Sequence, residues 1–353
     1  MTMLKFRRLV KKIKYTTNVF YWFVWYNLLH GESGKVFHLA KSLLKHLIFK
    51  TPYALILETG NTCNFNCATC PTPRHLILSR RPPELMSLAK FKKIIDNVKD
   101  YVHIIYLYNS NEPLLNPEIF EMIKYASDNN LHTMISTNCS LLDETRARKI
   151  LNSGLGEIRF AFDGLTKESF EQFRVGGDFE TVKRNIENFC RLKQELGKKR
   201  PIATLQFILN KLNQDQIPDI QKFAKDNKID KLYIKPFILG GYAYNQADVK
   251  RLSEKFLADK DIDNDAIVYK KDDQGLAKPK IEHKTCPDVK RVFTVLSDGR
   301  ASMCCFDLLG DYTYGDLSQQ SFKELWYSKR AMAIRSAAFE RKLPLCKVCG
   351  NVE

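Results

Sequence analysis

The regular alternation of apolar strand segments with amphipathic helices between residues 53 and 237 constrains the fold more than any other feature of the chain. Strands that alternate with helices in this way form right-handed βαβ units and a parallel sheet. Six strands are predicted, at 53–59, 102–108, 131–137, 157–162, 202–209 and 231–237. Helices are predicted between them at 87–99, 143–151, 179–196 and 216–226. A further helix is predicted to have Asn116 as its cap and Pro117 as its first residue. The sequence therefore predicts an α/β protein.

Four residues with useful side-chain chemistry come just after successive predicted strands. They are Cys63, Asn111, Asn138 and Asp163. In parallel α/β sheets the ligand site lies at the carboxyl ends of the strands. We therefore expect all four residues to face one site.

The cysteines are grouped. The chain has ten, and Cys63, Cys67 and Cys70 lie within eight residues of one another. No signal-peptide pattern is present, so we expect a cytoplasmic protein, in which structural disulfides are rare. A four-iron cluster takes one thiolate per iron, so three thiolates leave one iron open to an outside ligand. A zinc knuckle or three unrelated buried thiols are the alternatives.

The segment from Cys63 to Cys70, which reads C-N-F-N-C-A-T-C and is followed by Pro71, resembles the cluster-binding loop of the radical S-adenosylmethionine (SAM) superfamily. The resemblance implies a partial (β/α)6 barrel over residues 51–240. It also implies a four-iron cluster held by Cys63, Cys67 and Cys70, with SAM bound to the open iron. An external one-electron donor of the flavodoxin or ferredoxin type is implied as a partner.

The turn after the second strand extends this resemblance. The family has Gly-Gly-Glu-Pro there, and this chain has Ser-Asn-Glu-Pro at 110–113. The resemblance implies that Asn111, Glu112 and Pro113 hold the methionyl amino group of SAM, largely through backbone carbonyls. Asn in place of the second Gly is a departure, although Asn tolerates a positive φ better than most residues.

Three further positions are implied to bind the cofactor. The family's Thr-Asn-Gly reads Thr-Asn-Cys here and includes Asn138, and its Ser-x-Asp-Gly reads Ala-Phe-Asp-Gly and includes Asp163. Ala161 replaces the family's Ser and removes one polar contact to SAM. Arg174 stands at the family's usual Arg position and is implied to meet the methionyl carboxylate. Ordinary turn and cap chemistry is the alternative for Asn138, Asp163 and Arg174.

A second cysteine group lies near the end of the chain and comprises Cys286, Cys304, Cys305, Cys346 and Cys349. Its spacing, with Gly299 five residues before Cys304, resembles the SPASM/twitch module. The resemblance implies a small α+β module over residues 286–353 with a second, auxiliary four-iron cluster held by Cys286, Cys304, Cys346 and Cys349. Cys304 and Cys305 are predicted to point to opposite faces of a strand at 301–305, and the spacing favours Cys304. A structural zinc on the same thiolates is the alternative.

Local signals predict several other features. Asp298-Gly299 predicts a hairpin between strands at 292–296 and 301–305, and Ser321 with Glu324 predicts a capping box for a helix that runs to about residue 337. Cys139 and Cys190 have no partner spacing and are predicted to be buried small hydrophobes. Residues 241–285 are predicted to be a linker with one helix at most.

The first 50 residues form a basic helical extension outside the resemblance. They carry ten Lys and Arg and one acid, a net +9 of the chain's +16, together with an aromatic cluster at 20–26 and an amphipathic helix at 36–48. No apolar run is long enough to span a membrane. One interpretation is a lid that buries the aromatics against the open side of the barrel. The other is peripheral contact with the inner face of the membrane.

The resemblance implies an oxidoreductase-type enzyme that cleaves SAM reductively and abstracts a hydrogen from its substrate, the auxiliary cluster transferring electrons or positioning the substrate. Fifty helical residues are too few for a winged-helix domain that binds leader peptides, which favours a small or lipid-linked substrate. Peptide or protein modification is the alternative, and a non-catalytic iron–sulfur electron carrier is a third interpretation. The absence of a Walker loop and of a His-x-x-x-His pair argues against a P-loop NTPase and a zinc hydrolase. A nucleic-acid partner is not favoured, because the positive charge is concentrated in the N-terminal segment.

Overall fold

The computed structural model describes residues 24–25, 27–29, 31–70, 77–238, 246–258, 269–271, 277–279, 284–347 and 349. Within them the strands are β1 (Ala54–Leu57), β2 (Ile104–Tyr106), β3 (His132–Thr137), β4 (Glu157–Ala161), β5 (Ile202–Leu209), β6 (Lys231–Pro236), β7 (Tyr269–Lys271), β8 (Ala277–Pro279), β9 (Val292–Val295), β10 (Arg300–Ser302) and β11 (Thr313–Asp316). The helices are α1 (Ser33–Phe49), α2 (Leu88–Val98), α3 (Ile119–Asp128), α4 (Glu144–Asn152), α5 (Lys167–Phe173), α6 (Phe179–Glu195), α7 (Ile217–Asp226), α8 (Gln246–Phe256), α9 (Asp288–Arg291), α10 (Phe322–Trp326), α11 (Lys329–Phe339) and α12 (Pro344–Lys347).

The main sheet confirms the predicted α/β fold. Strands β1 to β6 pair in chain order and are all parallel. The full order is β11-β10-β9-β1-β2-β3-β4-β5-β6, so β1 and β6 are not paired and the barrel is open. The prediction of a partial barrel is thus confirmed.

The two faces of the barrel sheet differ in chemistry because side chains alternate along each strand. Leu55, Ile105, Ile135, Ile158 and Leu205 are fully buried in the main hydrophobic cluster with the surrounding helices. Burial of each such side chain stabilises the fold by about 1.5–3 kcal/mol. The neighbouring residues on the same strands point the other way, into the barrel. They are apolar on β1 and mostly polar on β4 and β5, where they include Glu157, Arg159, Thr204 and Gln206.

The C-terminal module continues the barrel sheet. Strand β9 runs parallel to β1 and pairs along its whole length, from Ala54 with Val292 to Leu57 with Val295. Strands β10 and β11 then add antiparallel neighbours. The edge of β1 is therefore covered by the module.

Some predicted elements need correction. Asn116 does not cap α3; its Oδ1 accepts from the Glu118 N–H after a 3-10 turn at Pro113–Leu115. The capping box at Ser321 and Glu324 is present, but the helix ends at Trp326, and α11 starts anew with Ser328 as its N-cap. The predicted linker contains the short hairpin β7–β8 in addition to α8.

Helix α1 lies across the amino ends of the barrel strands. Ser42 Oγ donates to the Tyr101 carbonyl at 2.6 Å, and a His38 ring nitrogen is 2.8 Å from the Val102 carbonyl, both just before β2. Of the predicted aromatic cluster, Phe20, Tyr21, Trp22, Phe23 and Tyr26 lie outside the described residues, and Trp25 is 47% exposed. No helix in the described part of the chain is both long and apolar enough to cross a bilayer.

Candidate functional site

The first cysteine group lies on a loop that follows β1. Cys67 is buried, Cys63 and Cys70 are partly buried, and all three thiols are free. The segment after α5 holds this loop in place: the Asn66 N–H donates to the Val175 carbonyl at 2.7 Å, and the Ala68 N–H donates to the Phe173 carbonyl at 3.1 Å. The sequence analysis missed this segment.

Two glycines let that segment approach the loop closely. Gly176 has a φ of +89°, and a Cβ on Gly177 would come within 2.8 Å of the Phe65 ring. The Gly-Gly pair directly after Val175 was the signal for it, because adjacent glycines mark a place where backbone passes close to other atoms.

Nitrogen donors surround the sulfur atoms of this loop. The Phe65 N–H and Asn138 Nδ2 donate to Cys63 Sγ at 3.5 and 3.8 Å, and Arg174 Nη1 donates to Cys67 Sγ at 3.7 Å. Such donors to sulfur tune the potential of iron–sulfur clusters. Burial raises the pKa of the Cys63 thiol to about 12. Ligation would therefore release its proton, as metal binding to thiols does.

The three thiols fit a cluster of several irons. None of them forms a disulfide, and Cys67 and Cys70 both influence the pKa of Cys63. Among the described residues no three His, Cys, Asp or Glu side chains converge tightly enough to hold a single metal ion. The fit rests on thiols outside any disulfide, N–H donors to sulfur and a loop shaped by its neighbours.

Glu112 fastens the end of β3 to the cysteine loop. Its carboxylate accepts from Thr137 Oγ1 at 2.8 Å, from the Asn138 N–H at 2.8 Å and from the Leu114 N–H at 3.1 Å. Its own N–H donates to the Thr62 carbonyl at 3.0 Å. Burial raises the pKa of Glu112 to about 7, and these donors oppose the shift. The carboxylate thus positions Asn138 beside Cys63.

Asn111 and Pro113, on either side of Glu112, have structural roles of their own. Asn111 Nδ2 donates to Thr59 Oγ1 at 3.0 Å, and its Oδ1 accepts from the Asn109 N–H at 3.2 Å. Pro113 begins the 3-10 turn. The carbonyls of Glu112 and Pro113 accept from the N–H groups of Leu115 and Asn116. Binding of the methionyl amino group by this turn stays a prediction.

Asn138, Asp163 and Arg174 meet at the same end of the barrel. Asn138 Nδ2 donates to Asn64 Oδ1 at 2.9 Å, within the cysteine loop. Arg174 forms an ion pair with Asp163, a residue that is fully buried. Burial raises the pKa of Asp163, and the Arg174 guanidinium opposes the rise. The structure therefore brings together the predicted site residues that follow β1 to β4, and their roles toward SAM remain predictions.

A buried ion pair that the sequence analysis missed joins the barrel to the C-terminal module. Glu58, directly after β1, pairs with Arg81, and both side chains are almost fully buried. Glu58 also accepts from Ser110 Oγ and, at 2.9 Å, from the Ser297 N–H of the module. Arg81 Nη1 donates to the Leu308 carbonyl at 2.8 Å. Loss of one partner from a buried pair costs about 3–5 kcal/mol.

The C-terminal thiols form a second group. Cys305 is coupled electrostatically to Cys349 and Cys286, Cys304 to Cys305 and Cys349, and Cys346 to Cys286 and Cys349. Arg341 Nη2 donates to the carbonyls of Cys346 and Cys349 at 2.8 Å each and so holds their turn. Burial raises the pKa of Cys346 to about 11. Three segments of the module therefore bring these cysteines near one another.

The prediction that Cys304 and Cys305 point to opposite faces of a strand is wrong. Strand β10 ends at Ser302, so both cysteines lie in the turn that follows and strand alternation does not assign them to opposite faces. Both are coupled to Cys349. The choice of Cys304 as ligand now depends on the spacing from Gly299 alone and stays a prediction. Cys139 and Cys190 are buried, as predicted.

Comparison with known families identifies both cysteine groups. Residues 57–224 match the radical SAM superfamily, and residues 286–350 match an iron–sulfur cluster-binding domain of the SPASM type. The chain contains a radical SAM domain and a SPASM domain. The first domain implies a four-iron cluster and SAM, and the second implies auxiliary iron–sulfur chemistry in this radical SAM protein.

Curated relatives share the domains at moderate identity. The Fe-coproporphyrin III synthase of Methanosarcina barkeri is 28% identical over 215 residues, which are 61% of this chain and 50% of that protein. The PqqA peptide cyclase of Bradyrhizobium diazoefficiens is 26% identical over 195 residues, which are 55% of this chain and 49% of that protein. The radical SAM protein thus spans about half the length of these relatives.

Solved structures share the fold. SuiB of Streptococcus suis, bound to the precursor peptide SuiA, superposes with a TM-score of 0.59 at 19% identity, covering 92% of this chain and 74% of that one. BtrN in complex with AdoMet and 2-DOIA superposes with a TM-score of 0.52 at 17% identity, covering 85% of this chain and 94% of that one. These likenesses support the open barrel with an appended module.

Proposed function

We propose that this radical SAM protein is an oxidoreductase-type enzyme that acts on a small or lipid-linked substrate bound inside the barrel. When bound at the first cysteine loop, the cluster and SAM supply a 5′-deoxyadenosyl radical that abstracts a hydrogen atom. Asn138, Asp163 and Arg174 orient that site, and the second thiol group would hold a cluster for electron transfer or substrate positioning. The side chains inside the barrel bear on the class of substrate that binds there.

The polarity of the barrel interior carries the proposal. Arg159 lies on the inner face of β4, and the register pairs it with Ser136 on β3 and Thr204 on β5. Arg159 Nε donates to Glu157 at 2.7 Å, and its Nη1 donates to the Tyr108 hydroxyl oxygen at 3.2 Å. A guanidinium held this way recognises hydroxyl and anionic groups of a ligand well.

A second cation lies nearer the cysteine loops. Lys235 on β6 shares its face with Ile208 of β5 and acts electrostatically on both Asp163 and Cys305. Two cations on the barrel strands, Arg159 with the Tyr108 hydroxyl beside it and Lys235, favour a hydroxylated, negatively charged small molecule, such as a phosphorylated or lipid-linked sugar.

BtrN, which shares the fold, is solved with a second molecule beside AdoMet. That structure holds AdoMet and 2-DOIA, and the match extends over 94% of its chain. Because its identity to this protein is 17%, the likeness supports the fold and leaves the substrate to be tested directly.

Peptide modification is the second candidate, favoured by other comparisons. SuiB is solved with its precursor peptide, and the PqqA peptide cyclase is 26% identical to this chain over 195 residues. A peptide would have to enter the same interior past Tyr108 and Arg159.

Isotope transfer tests the two candidates. A perdeuterated cell extract is separated into small-molecule, lipid and peptide fractions, and each is incubated anaerobically with reconstituted enzyme, SAM and dithionite. Abstraction of a substrate hydrogen places deuterium in 5′-deoxyadenosine, which mass spectrometry detects. We expect label from the small-molecule or lipid fraction; label from the peptide fraction alone would overturn the proposed substrate class.

Replacement of Arg159 tests the interior site. In Arg159→Gln we expect deuterium transfer to fall by at least about tenfold, because a hydrogen bond to a charged group contributes about 1.5–3 kcal/mol. Arg148→Gln is the matched control, since Arg148 is exposed on α4 and pairs there with Glu144. Equal transfer by both variants would show that the substrate does not meet Arg159.

A further inference from the structure

Helix α1 packs on the barrel with a side that is polar except for the buried Leu39. Lys35 and Ser42 are buried, and Lys35 Nζ donates to Ser127 Oγ at 3.4 Å. A His46 ring nitrogen lies 2.5 Å from the Thr51 carbonyl, and His38 is bonded to the Val102 carbonyl. Positions 35, 38, 42 and 46 follow the helical period and define the inward side.

The opposite side of α1 is apolar and exposed. Phe37 is 74% exposed and Leu47 66%. We call this surface the outer face of α1; its large side chains are Phe37, Leu44, Leu47, Ile48 and Phe49, and Trp25, Leu28 and Leu29 are exposed on the preceding helical residues. An amphipathic helix of a globular protein ordinarily buries this stripe, so a continuous exposed stripe marks an interaction surface.

Cations border the outer face. Lys41 and Lys50 are exposed, and Lys45 Nζ lies 4.8 Å from the centre of the Tyr101 ring. Asp100 pairs with Lys41. The sequence before the described residues adds Lys5, Arg7, Arg8, Lys11, Lys12 and Lys14, with no acid in residues 1–14. Apolar side chains flanked by cations are the composition of a helix that lies in the interface of an anionic bilayer.

We propose that the outer face of α1 docks on an anionic lipid surface, with α1 parallel to the membrane. Charge decides between this occupant and a second copy of the chain. A symmetric dimer through this face would bring two segments of net charge +9 together, whereas anionic headgroups complement them.

The proposal fixes the orientation of the enzyme. Helix α1 covers the amino ends of the strands, and the cysteine loop after β1 lies at their carboxyl ends. Docking would therefore leave the loop facing away from the bilayer, where a soluble electron donor can approach it. The inference does not depend on the substrate class proposed above.

Vesicle sedimentation of the full-length protein tests the proposal. The vesicles are phosphatidylcholine with or without phosphatidylglycerol, at low and at high salt. We expect binding to the vesicles that contain phosphatidylglycerol, weakened by salt because the Debye length falls from about 10 Å at 0.1 M to about 3 Å at 1 M. A chain that stays wholly in the supernatant would overturn the proposal.

A double variant and a control variant test whether the outer face of α1 makes the membrane contact. Phe37→Ser with Leu47→Ser removes two exposed apolar side chains from the outer face, and we expect the partition coefficient to fall by at least about tenfold. Met332→Ser is the control, because Met332 is 47% exposed on α11 in the C-terminal module. Unchanged binding of the double variant would assign the membrane contact elsewhere and overturn the proposal. If light scattering shows a dimer that the double variant splits, the face binds a second copy and the proposal is likewise overturned.

Discussion

The first cysteine group shares one loop after β1, whereas the second is collected from three segments between residues 286 and 349. In the first, the spacing places all three cysteines on that loop, and Phe65 within it, Asn138 after β3 and Arg174 after α5 supply donors to their sulfurs. In the second, Arg341 holds the last two cysteines, and the Cys286 N–H donates to the Phe339 carbonyl at 2.8 Å. A local motif thus places its ligands on one segment, whereas a distributed one depends on the fold to bring its ligands together.

The strongest test of this contrast is loss of one thiol from the local loop. Cys67→Ala should abolish formation of 5′-deoxyadenosine from SAM and dithionite, because Cys67 is one of three ligands and no other cysteine lies on that loop. Cys190→Ala is the control; this buried cysteine lies on α6, and its loss should cost about 1 kcal/mol of stability at most. Turnover of Cys67→Ala equal to that of the control would refute the radical mechanism.

Iron content measures whether the two groups assemble separately. We expect about eight irons per chain after anaerobic reconstitution, and about four when Cys63, Cys67 and Cys70 are all replaced by Ala. Colorimetric iron analysis and electron paramagnetic resonance give the count and the cluster type. A triple variant that holds one tight zinc and no iron would make the C-terminal group a structural zinc site.

The second cysteine group allows a finer test, because two candidate ligands lie next to each other in one turn. If the spacing from Gly299 governs the choice, Cys304→Ser should lower the iron content from about eight to about four per chain, and Cys305→Ser should leave it unchanged. Cys304 and Cys305 are both partly buried and both interact electrostatically with Cys349, so the two variants are closely matched. The reverse result would assign Cys305 as the ligand.

The sequence predicts the barrel well because its signals are local. Strand β5 has its predicted bounds, Ile202–Leu209. The N-cap side chains of Ser87, Asp143 and Ser321 each accept from a backbone N–H three residues on, as their residue types predict. Each of these features depends on periodicity or on a side chain within three residues.

What the sequence does not predict arises from contacts between distant segments. The pair of Glu58 with Arg81, and the role of Val175 in holding the cysteine loop, join residues that no local pattern connects. The turn at Cys304 departs from the predicted strand because Asp307 accepts from Ser302 Oγ at 2.6 Å and from the Tyr312 N–H at 3.0 Å, which ends β10 early. The inward side of α1 was likewise decided by hydrogen bonds to the barrel rather than by its apolar period.

The smallest expected effect that distinguishes the two cysteine groups is a pH dependence of the free energy of unfolding. It arises from Glu112, beside the first group. Burial raises the pKa of Glu112 to about 7 from the usual 4.5, so the folded state binds this proton more tightly than the unfolded state. The resulting stabilisation is fully present below about pH 4.5 and is lost as the pH rises through about 7. A difference of this size corresponds to at most about 3 kcal/mol.

Urea unfolding of the iron-free chain near pH 5 and near pH 8 measures this loss, since a bound cluster would add its own pH dependence. Glu112→Gln is neutral at both values and keeps a carbonyl oxygen for the Asn138 N–H, so we expect it to lose about 2.5 kcal/mol less than the wild type between them. Glu168→Gln, at an exposed position in the first turn of α5, should behave like the wild type. Equal losses for Glu112→Gln and the wild type would show that Glu112 is ionised throughout. The Thr137 and Asn138 donors would then outweigh its burial, and the end of β3 would be held by a carboxylate at every pH at which the enzyme works.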